Sequence, residues 1–368
     1  MLPACLFSDL KDMMPGKLKK FLGRTARRYA PRSYRMTKRL LADLAEFPGE
    51  ARVIIGIWRK RLPSGTPDAD FMQTYYSDTS EEIGSGCRQG IVCMYDGRIL
   101  HGGLTDRLRG VLSTYREARR RRIPFYISWT HPFRLEDYLE PTLVDWRIPV
   151  ESLTYSSRVA FPVMIQDCRK LSNALRLRAA LRRRLPQTHV YSNSYNAKGE
   201  YASLYRELFQ PTASLRREVE FHRRHLGDNY VSFSFRFLQL LGDFEDVCGE
   251  TLPPYEQTAL LGRVTDEFRR MLTAVPPEWR VLVASDSRRF LSIAPSVDHR
   301  IYVVKGDVKH VDVGASEGSD VWMKTFVDQQ LISGARKVWL MRTGKMYRSG
   351  FPSFAAEVGG VPFEEHVF

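Results

Sequence analysis

The sequence lacks any apolar run close to the ~18 residues that a membrane-spanning helix needs, and no secretion leader is recognisable in it. Cysteine is also scarce: the chain has five, scattered and odd in number. This pattern excludes a framework of paired disulfides and favours a reducing compartment. We therefore expect a cytoplasmic protein.

Several catalytic signatures are missing as well. Cysteine and histidine do not fall at metal-ligand spacing, and neither the GxxxxGK[ST] phosphate loop nor the GxSxG nucleophile turn occurs. Asp68-Ala-Asp70 has the DxD form of metal-dependent glycosyltransferases, but it stands in a polar stretch with no strand before it. We interpret it as a chance match and expect no metal site.

Positive charge is abundant. The chain carries 56 Lys and Arg against 42 Asp and Glu, a net charge of +14 that attracts phosphate groups. Nucleic acid, an anionic membrane and a nucleoside diphosphate are all candidate partners. A nucleic-acid-binding protein would interleave exposed aromatic residues with basic ones, whereas the aromatic residues here fall mostly in predicted strands, so no nucleic-acid partner is expected.

Residues 17–42 hold the densest basic stretch, with ten Lys or Arg between Lys17 and Arg39. Leu18, Phe21 and Leu22 accompany them. One hypothesis is that this stretch docks on an anionic bilayer, which would place the protein peripherally on the inner membrane face. The alternatives are a basic helix packed on the protein or one that is simply solvated.

The hydrophobic pattern predicts an α/β protein. A strand over 91–95, a glycine-bearing loop, an amphipathic helix over 105–121 and a strand over 125–129 form a βαβ unit, which implies a parallel sheet. A second strand–helix alternation begins at 229 and continues to a helix over 352–358. We expect a basic, mainly helical extension over 1–84 and two Rossmann-like domains, 85–227 and 228–368, that face a cleft.

The first candidate site is the loop between the first strand and its helix. Gly102 and Gly103 permit close approach of the backbone to a ligand, and the helix N-terminus favours an anion. Arg107 and Arg109 would reinforce this preference. The alternative is a tight turn whose arginines are solvated.

The second candidate is Arg236, at the carboxyl end of the predicted strand 230–235, where α/β sheets bind ligands. Its planar guanidinium can hold two phosphate oxygens at once. The alternative is a structural ion pair with Asp243 or Glu245.

Three further candidates lie in the second alternation. Asp286 and Ser287 follow a strand, Asp328 lies on a predicted helix, and a turn opens the last helix at 349–355. Each has a structural alternative, namely helix capping for the two turns and solvent exposure for Asp328. The turn contributes Ser349, Gly350, Phe351, Ser353, Phe354 and Ala355 as candidate donor-binding residues.

Taken together, residues 89 to 363 resemble the fucosyltransferase-like superfamily of glycosyltransferases with the GT-B architecture, and bacterial surface-polysaccharide members most of all. His101–Gly110, HGGLTDRLRG, is similar to the family's GlyLeuGlyAsnArg-type loop. Pro124–Leu139, PFYISWTHPFRLEDYL, and the later segment DWRI from Asp145 follow the same group's pattern.

The resemblance implies roles for the candidate residues. Arg236 is similar to the arginine of the family's His-x-Arg-x-Gly-Asp motif, which contacts the donor pyrophosphate. Asp286 matches the second motif, which contacts the nucleoside, and the 349–355 turn with Asp328 resembles the third, which contacts phosphate and ribose. This chain departs from the first motif, because Ser234 replaces the histidine and Gly242-Asp243 lies farther from the arginine.

The resemblance also implies an activity: metal-independent transfer with inversion, GDP-fucose as donor, and a glycan or lipid-linked oligosaccharide as acceptor. The domain 85–227 would bind the acceptor and 228–368 the nucleotide sugar. Candidate general bases for the acceptor hydroxyl are Glu245, Asp243, Asp106 and His131. A different nucleotide sugar, a catalytically silent scaffold and a non-enzymatic basic nucleic-acid-binding protein remain as alternatives.

Overall fold

The computed structural model describes residues 48–76, 87–166, 172–193, 197–246, 249–306, 308–312 and 319–368. The stretch 17–42 and its hypothetical membrane contact therefore lie outside the described residues. Within them, no helix combines the length and the apolar character that crossing a bilayer requires.

The described elements alternate between strands and helices along most of the chain. The strands are β1 Gly90–Tyr95, β2 Phe125–Trp129, β3 Leu139–Pro141, β4 Ala160–Ile165, β5 Gln187–Ser192, β6 Phe209–Pro211, β7 Tyr230–Phe235, β8 Arg280–Ser285, β9 Ile301–Val303, β10 Val338–Arg342 and β11 Phe363–Val367. The α-helices are 48–58, Pro67–Tyr75, Leu104–Arg121, Ser172–Leu181, Tyr201–Leu208, Ala213–Leu226, Pro254–Leu272, Arg288–Ile293, Ser319–Ser333 and Phe351–Gly359.

The first domain is built on a parallel four-stranded sheet in the order β2-β1-β5-β4. Every residue of β1 is buried, as expected for a central strand covered on both faces. Helix Leu104–Arg121 packs on this sheet. A Cβ on Gly110 would come within 2.1 Å of the Ser192 carbonyl oxygen, so only glycine permits this close approach of helix and strand.

The second domain holds a parallel five-stranded sheet in the order β11-β10-β7-β8-β9. Phe235 of β7 pairs with Ser285 of the neighbouring β8. The residues that follow these two strands, Arg236 and Asp286, therefore meet at the carboxyl edge of the sheet. The predicted α/β class, with two parallel-sheet domains facing a cleft, is confirmed.

The described part of the N-terminal extension, 48–76, packs on the first domain. Phe71 and Tyr76 share a buried cluster with Val92 and Tyr191 of the first sheet. Asp68 lies in helix Pro67–Tyr75, not in the polar loop that the sequence predicted, and pairs with Arg176 at 2.8 Å. This ion pair gives the DxD sequence a structural role.

The two domains are joined by apolar contacts. Tyr138 of the first domain stacks on Phe326 of the second, with ring centroids 4.5 Å apart, and Phe133 contacts Trp322. One continuous cluster of buried apolar residues extends through the first domain and into the second.

Two buried histidines make stability depend on pH. Burial, together with the smaller effect of the Arg107 and Arg98 charges, lowers the pKa of His101 and of His189 to about 3. The unfolded chain binds these protons near pH 6.5, and the folded chain does not. Their contribution to stability is thus complete above that pH and is lost as the pH falls.

We expect the free energy of unfolding to fall by about 1 kcal/mol per pH unit for each of the two histidines between about pH 6 and pH 5, before carboxyl groups titrate. Denaturant unfolding at several pH values measures this slope. His101 stacks on Tyr191, and neither ring nitrogen has a partner among the described residues, so His101→Phe should fold and should reduce the slope by one histidine's share. An unchanged slope in that variant would contradict the assignment.

Candidate functional site

A cleft of about 1470 Å³ lies where the carboxyl ends of the two sheets face each other. Both domains supply its walls. Of the residues predicted from the sequence, it is lined by Gly102, Gly103, Asp106, Arg109, Arg236, Asp286, Asp328, Ser349, Gly350, Phe351 and Ser353. The predicted residues Arg107, His131, Asp243, Glu245, Ser287, Phe354 and Ala355 are not among the lining residues.

Arg236 lines the cleft immediately after β7. Its Nη2 donates to Asp246 Oδ2 at 2.9 Å, and its Nε lies 3.3 Å from Asp286 Oδ2. The ring of Phe244 supports the guanidinium at 4.5 Å. The sequence alternative placed Arg236 in an ion pair with Asp243 or Glu245. The structure pairs it with Asp246 and Asp286 instead. The guanidinium is held in place by two carboxylates and is still about one-fifth exposed.

Asp286 fixes the turn that carries Arg236. Its two carboxylate oxygens accept hydrogen bonds from the backbone N–H groups of Phe237 at 2.9 Å and Leu238 at 2.7 Å. Burial raises the pKa of Asp286, and Arg236 and these two N–H groups counteract that rise. Asp286 therefore orients the arginine at the cleft wall.

Asp243 and Ser287 have a different role from the one predicted. Ser287 caps helix Arg288–Ile293 by accepting from Phe290 N at 3.0 Å, and it donates to Asp243 Oδ2 at 2.8 Å. Asp243 Oδ2 also accepts from Arg289 N at 2.8 Å. Both residues thus accept hydrogen bonds from backbone N–H groups of the first helical turn, and neither lines the cleft. The exposed Glu245 does not line it either. The capping interpretation holds for Ser287, and the roles of these three residues in donor binding or catalysis stay predictions.

The glycine loop of the first domain is occupied by a carboxylate of the chain itself. Asp312 accepts from Gly102 N at 2.6 Å and from His101 N at 3.3 Å, and Arg107 Nη2 donates to it at 2.7 Å. Arg107 also donates to the carbonyl oxygens of Gly102 and His131, and its side chain is only 2% exposed. Arg107 is therefore an internal anchor for Asp312. On the same helix, Arg109 lines the cleft instead.

The turn before helix Phe351–Gly359 meets Arg109 across the cleft. Arg109 Nη2 donates to the Gly350 carbonyl at 3.1 Å and to Ser353 Oγ at 3.4 Å. A Cβ on Gly350 would lie 2.6 Å from Arg109 Nη1, so a larger residue there would displace the guanidinium from this position. Ser349 Oγ accepts from Phe351 N at 3.2 Å. A helix N-terminus and an arginine thus create positive potential at one place in the cleft.

Phe354 and Ala355 are fully buried and pack in the core, so their predicted contact with the donor stays a prediction. Phe354 packs against Tyr201 of the first domain with ring centroids 5.5 Å apart. Their burial anchors the helix whose N-terminus faces the cleft.

Asp328 is buried at the cleft wall, contrary to the solvent-facing alternative. Lys324 Nζ donates to its Oδ2 at 2.6 Å, one helical turn away. Burial raises the pKa of Asp328, and the charge of Lys324 opposes that rise. Lys324 and Asp328 together form an ion pair with no net charge beside the cleft.

Cleft residues that sequence reasoning missed include Asp246, His310 and Asp312. Asp246 directly follows the predicted acid Glu245 in the sequence. Arg236, at the end of β7, was the feature that could have pointed to an acidic partner there. His310 lies between β9 and helix Ser319–Ser333, in a stretch with no recognisable motif. Within the described residues, no group of three or more His, Cys, Asp or Glu side chains is arranged to hold a metal ion.

Comparison with known protein families finds no match, and neither does comparison with curated proteins. Among solved structures, the chain is similar to NodZ α-1,6-fucosyltransferase soaked with GDP-fucose, at 14% identity and a TM-score of 0.48, over 76% of this chain and 95% of that one. Fucosyltransferase NodZ from Bradyrhizobium matches at 14% identity and a TM-score of 0.47, over 73% and 92%. POFUT1 in complex with GDP matches at 11% and 0.45, over 76% and 98%. The two NodZ structures are described as those of a fucosyltransferase.

Proposed function

We propose that this chain is an inverting glycosyltransferase that transfers fucose from GDP-fucose, without a metal ion, to a hydroxyl of a glycan or lipid-linked oligosaccharide. One observation carries the proposal. Arg236 and the N-terminus of helix Phe351–Gly359, with Arg109 beside it, all line one cleft at the carboxyl edge of the second sheet. Guanidinium groups and helix N-termini are the groups that bind a diphosphate in such sheets.

The chemistry follows from the leaving group. When the bond between sugar and diphosphate breaks, negative charge grows on the departing phosphate oxygen. Preorganised donors that face this oxygen lower the barrier, because they need no rearrangement during the reaction. Arg236 is preorganised in this sense, since Asp286 and Asp246 hold its guanidinium. A diphosphate reaching Arg236 would share the guanidinium with Asp246.

The acceptor would enter from the first domain. Asp106 lines the cleft on that side, and its side chain is about one-third exposed. Of the four bases proposed from the sequence, it is the one whose side chain lines the cleft, and we propose it as the group that receives the hydroxyl proton. The choice of guanine and fucose rests on the sequence resemblance.

We expect GDP and GDP-fucose to stabilise the protein in a thermal-shift panel of nucleotides and nucleotide sugars run in excess EDTA. A ligand at about 100 times its dissociation constant should add roughly 2.7 kcal/mol of stability. Arg236→Lys is the matched control and should respond weakly.

The panel also separates the parts of the proposal. Stabilisation by UDP-sugars alone would overturn the guanine donor, and a response that needs added magnesium or manganese would overturn metal independence. If no nucleotide stabilises the protein, the proposed function is wrong.

A further inference from the structure

The segment 308–312 reaches from the second domain to the first. Its end is fixed by Asp312, whose carboxylate is bound by the glycine loop and by Arg107. Two residues earlier, His310 lines the cleft. Its Nε2 lies 3.7 Å from the position that a Cβ on Gly103 would take, so the ring stands at the first domain's helix N-terminus. The imidazole is thus part of the wall where the two domains meet.

The backbone determines which ring nitrogen carries the proton. The N–H of Asp312 donates to His310 Nδ1 at 3.3 Å. A ring nitrogen that accepts a hydrogen bond carries no proton, so the neutral ring is protonated on Nε2. The nitrogen on the Gly103 side is therefore a hydrogen-bond donor, not a proton acceptor.

The surroundings favour the neutral ring. Burial lowers the pKa of His310, and the charge of Arg236 lowers it further, while Asp246, Asp312 and Asp106 act in the opposite direction. The four charged side chains that act on the ring thus come from both domains. Arg236 is also the proposed diphosphate ligand, and it lines the same cleft as His310.

We propose that neutral His310 donates a hydrogen bond from Nε2–H to the departing diphosphate oxygen, and that Asp312 positions it for this purpose. The inference rests on the proposed function. The bond between the sugar carbon and the phosphate oxygen breaks, and its electron pair stays on that oxygen. The acceptor oxygen forms the new bond and releases its proton to Asp106 or to water, and His310 keeps its own proton throughout. A neutral imidazole donor of this kind is an established catalytic device.

Calorimetric binding of GDP, the product that carries this oxygen, tests the proposal. His310→Ala should weaken GDP binding by about 10- to 100-fold, as expected for loss of a hydrogen bond to a charged group. His310→Gln should stay within about 3-fold of wild type, because its amide nitrogen can replace Nε2–H as a donor while it cannot act as a base. His299→Ala, at a histidine whose side chain is 89% exposed on the same domain, should bind GDP like wild type.

The outcomes separate this inference from the proposed function. If wild type binds GDP, Arg236→Lys binds it poorly and His310→Ala binds it normally, the histidine is not a ligand and the inference is wrong. If His310→Gln is as weak as His310→Ala, the ring has a structural role and the donor assignment is equally wrong. If wild type itself does not bind GDP, the proposed function and the inference both fail.

Discussion

Arg236→Ala should lower turnover of the nucleotide sugar by about 100- to 1,000-fold, the typical cost of removing one preorganised donor from a developing oxyanion. Arg236 stands at the carboxyl end of β7, and two carboxylates fix its guanidinium. Because the leaving group gains charge as the bond breaks, this contact strengthens in the transition state. Release of GDP from GDP-fucose, measured together with the melting temperature of the same preparations, provides the test.

The same residue also stabilises the fold, so its controls must separate the two effects. Arg236→Ala removes the guanidinium that pairs with Asp246 and Asp286, which should lower the melting temperature. Arg236→Lys retains the charge but loses the two-pronged geometry, and should be folded and still slow. Arg236→Ala combined with Asp246→Ala should recover stability without recovering turnover. Near-normal turnover in any of these variants would refute the donor site.

Arg107→Ala should give the largest loss of stability, about 3–5 kcal/mol, because it leaves a buried carboxylate unpaired. The side chains of Arg107 and Asp312 are only 2% and 4% exposed, and their contact spans 205 positions of sequence. Burial lowers the pKa of Arg107, and Asp312 offsets that effect. Denaturant unfolding of the variant and wild type at neutral pH measures the difference.

An exposed ion pair offers the matched comparison. Arg147 and Asp145 pair at 2.8 Å with both side chains 57% exposed, and Arg147→Ala should change stability little. Replacing Arg107 and Asp312 together by Met and Leu should recover part of the loss, since apolar side chains of similar volume often substitute for buried pairs. If Arg107→Ala costs no more than Arg147→Ala, the pair does not anchor the 308–312 segment.

The regular elements of the fold were predictable where one local signal dominated. β1, β2, β7 and β8 are short apolar runs, and helix Leu104–Arg121 shows helical spacing of its apolar residues. β11 was missed because Glu364, Glu365 and His366 interrupt any apolar pattern on an edge strand that stays partly exposed. Its pairing with β10 depends on tertiary contacts that the segment itself does not encode.

The candidate site was predictable at strand ends and less so elsewhere. Arg236 was found because parallel strands direct their next residues to one edge. The choice between Arg107 and Arg109 could have been made, because Arg107 shares the helix face of Leu104, Leu108 and Val111, which are buried. His310 and Asp312 were beyond reach, since their roles arise from a contact with a loop about 200 positions away.

The apolar cluster that joins the domains affects how the chain folds. Domains that meet through small polar interfaces open and melt independently of each other. Here Tyr138, Phe326 and their neighbours belong to one buried cluster that reaches into both sheets, although the second domain also has a separate buried cluster around Phe233 and Phe268. We therefore expect the two halves to stabilise each other, and either half expressed alone to expose the aromatic surface of this cluster.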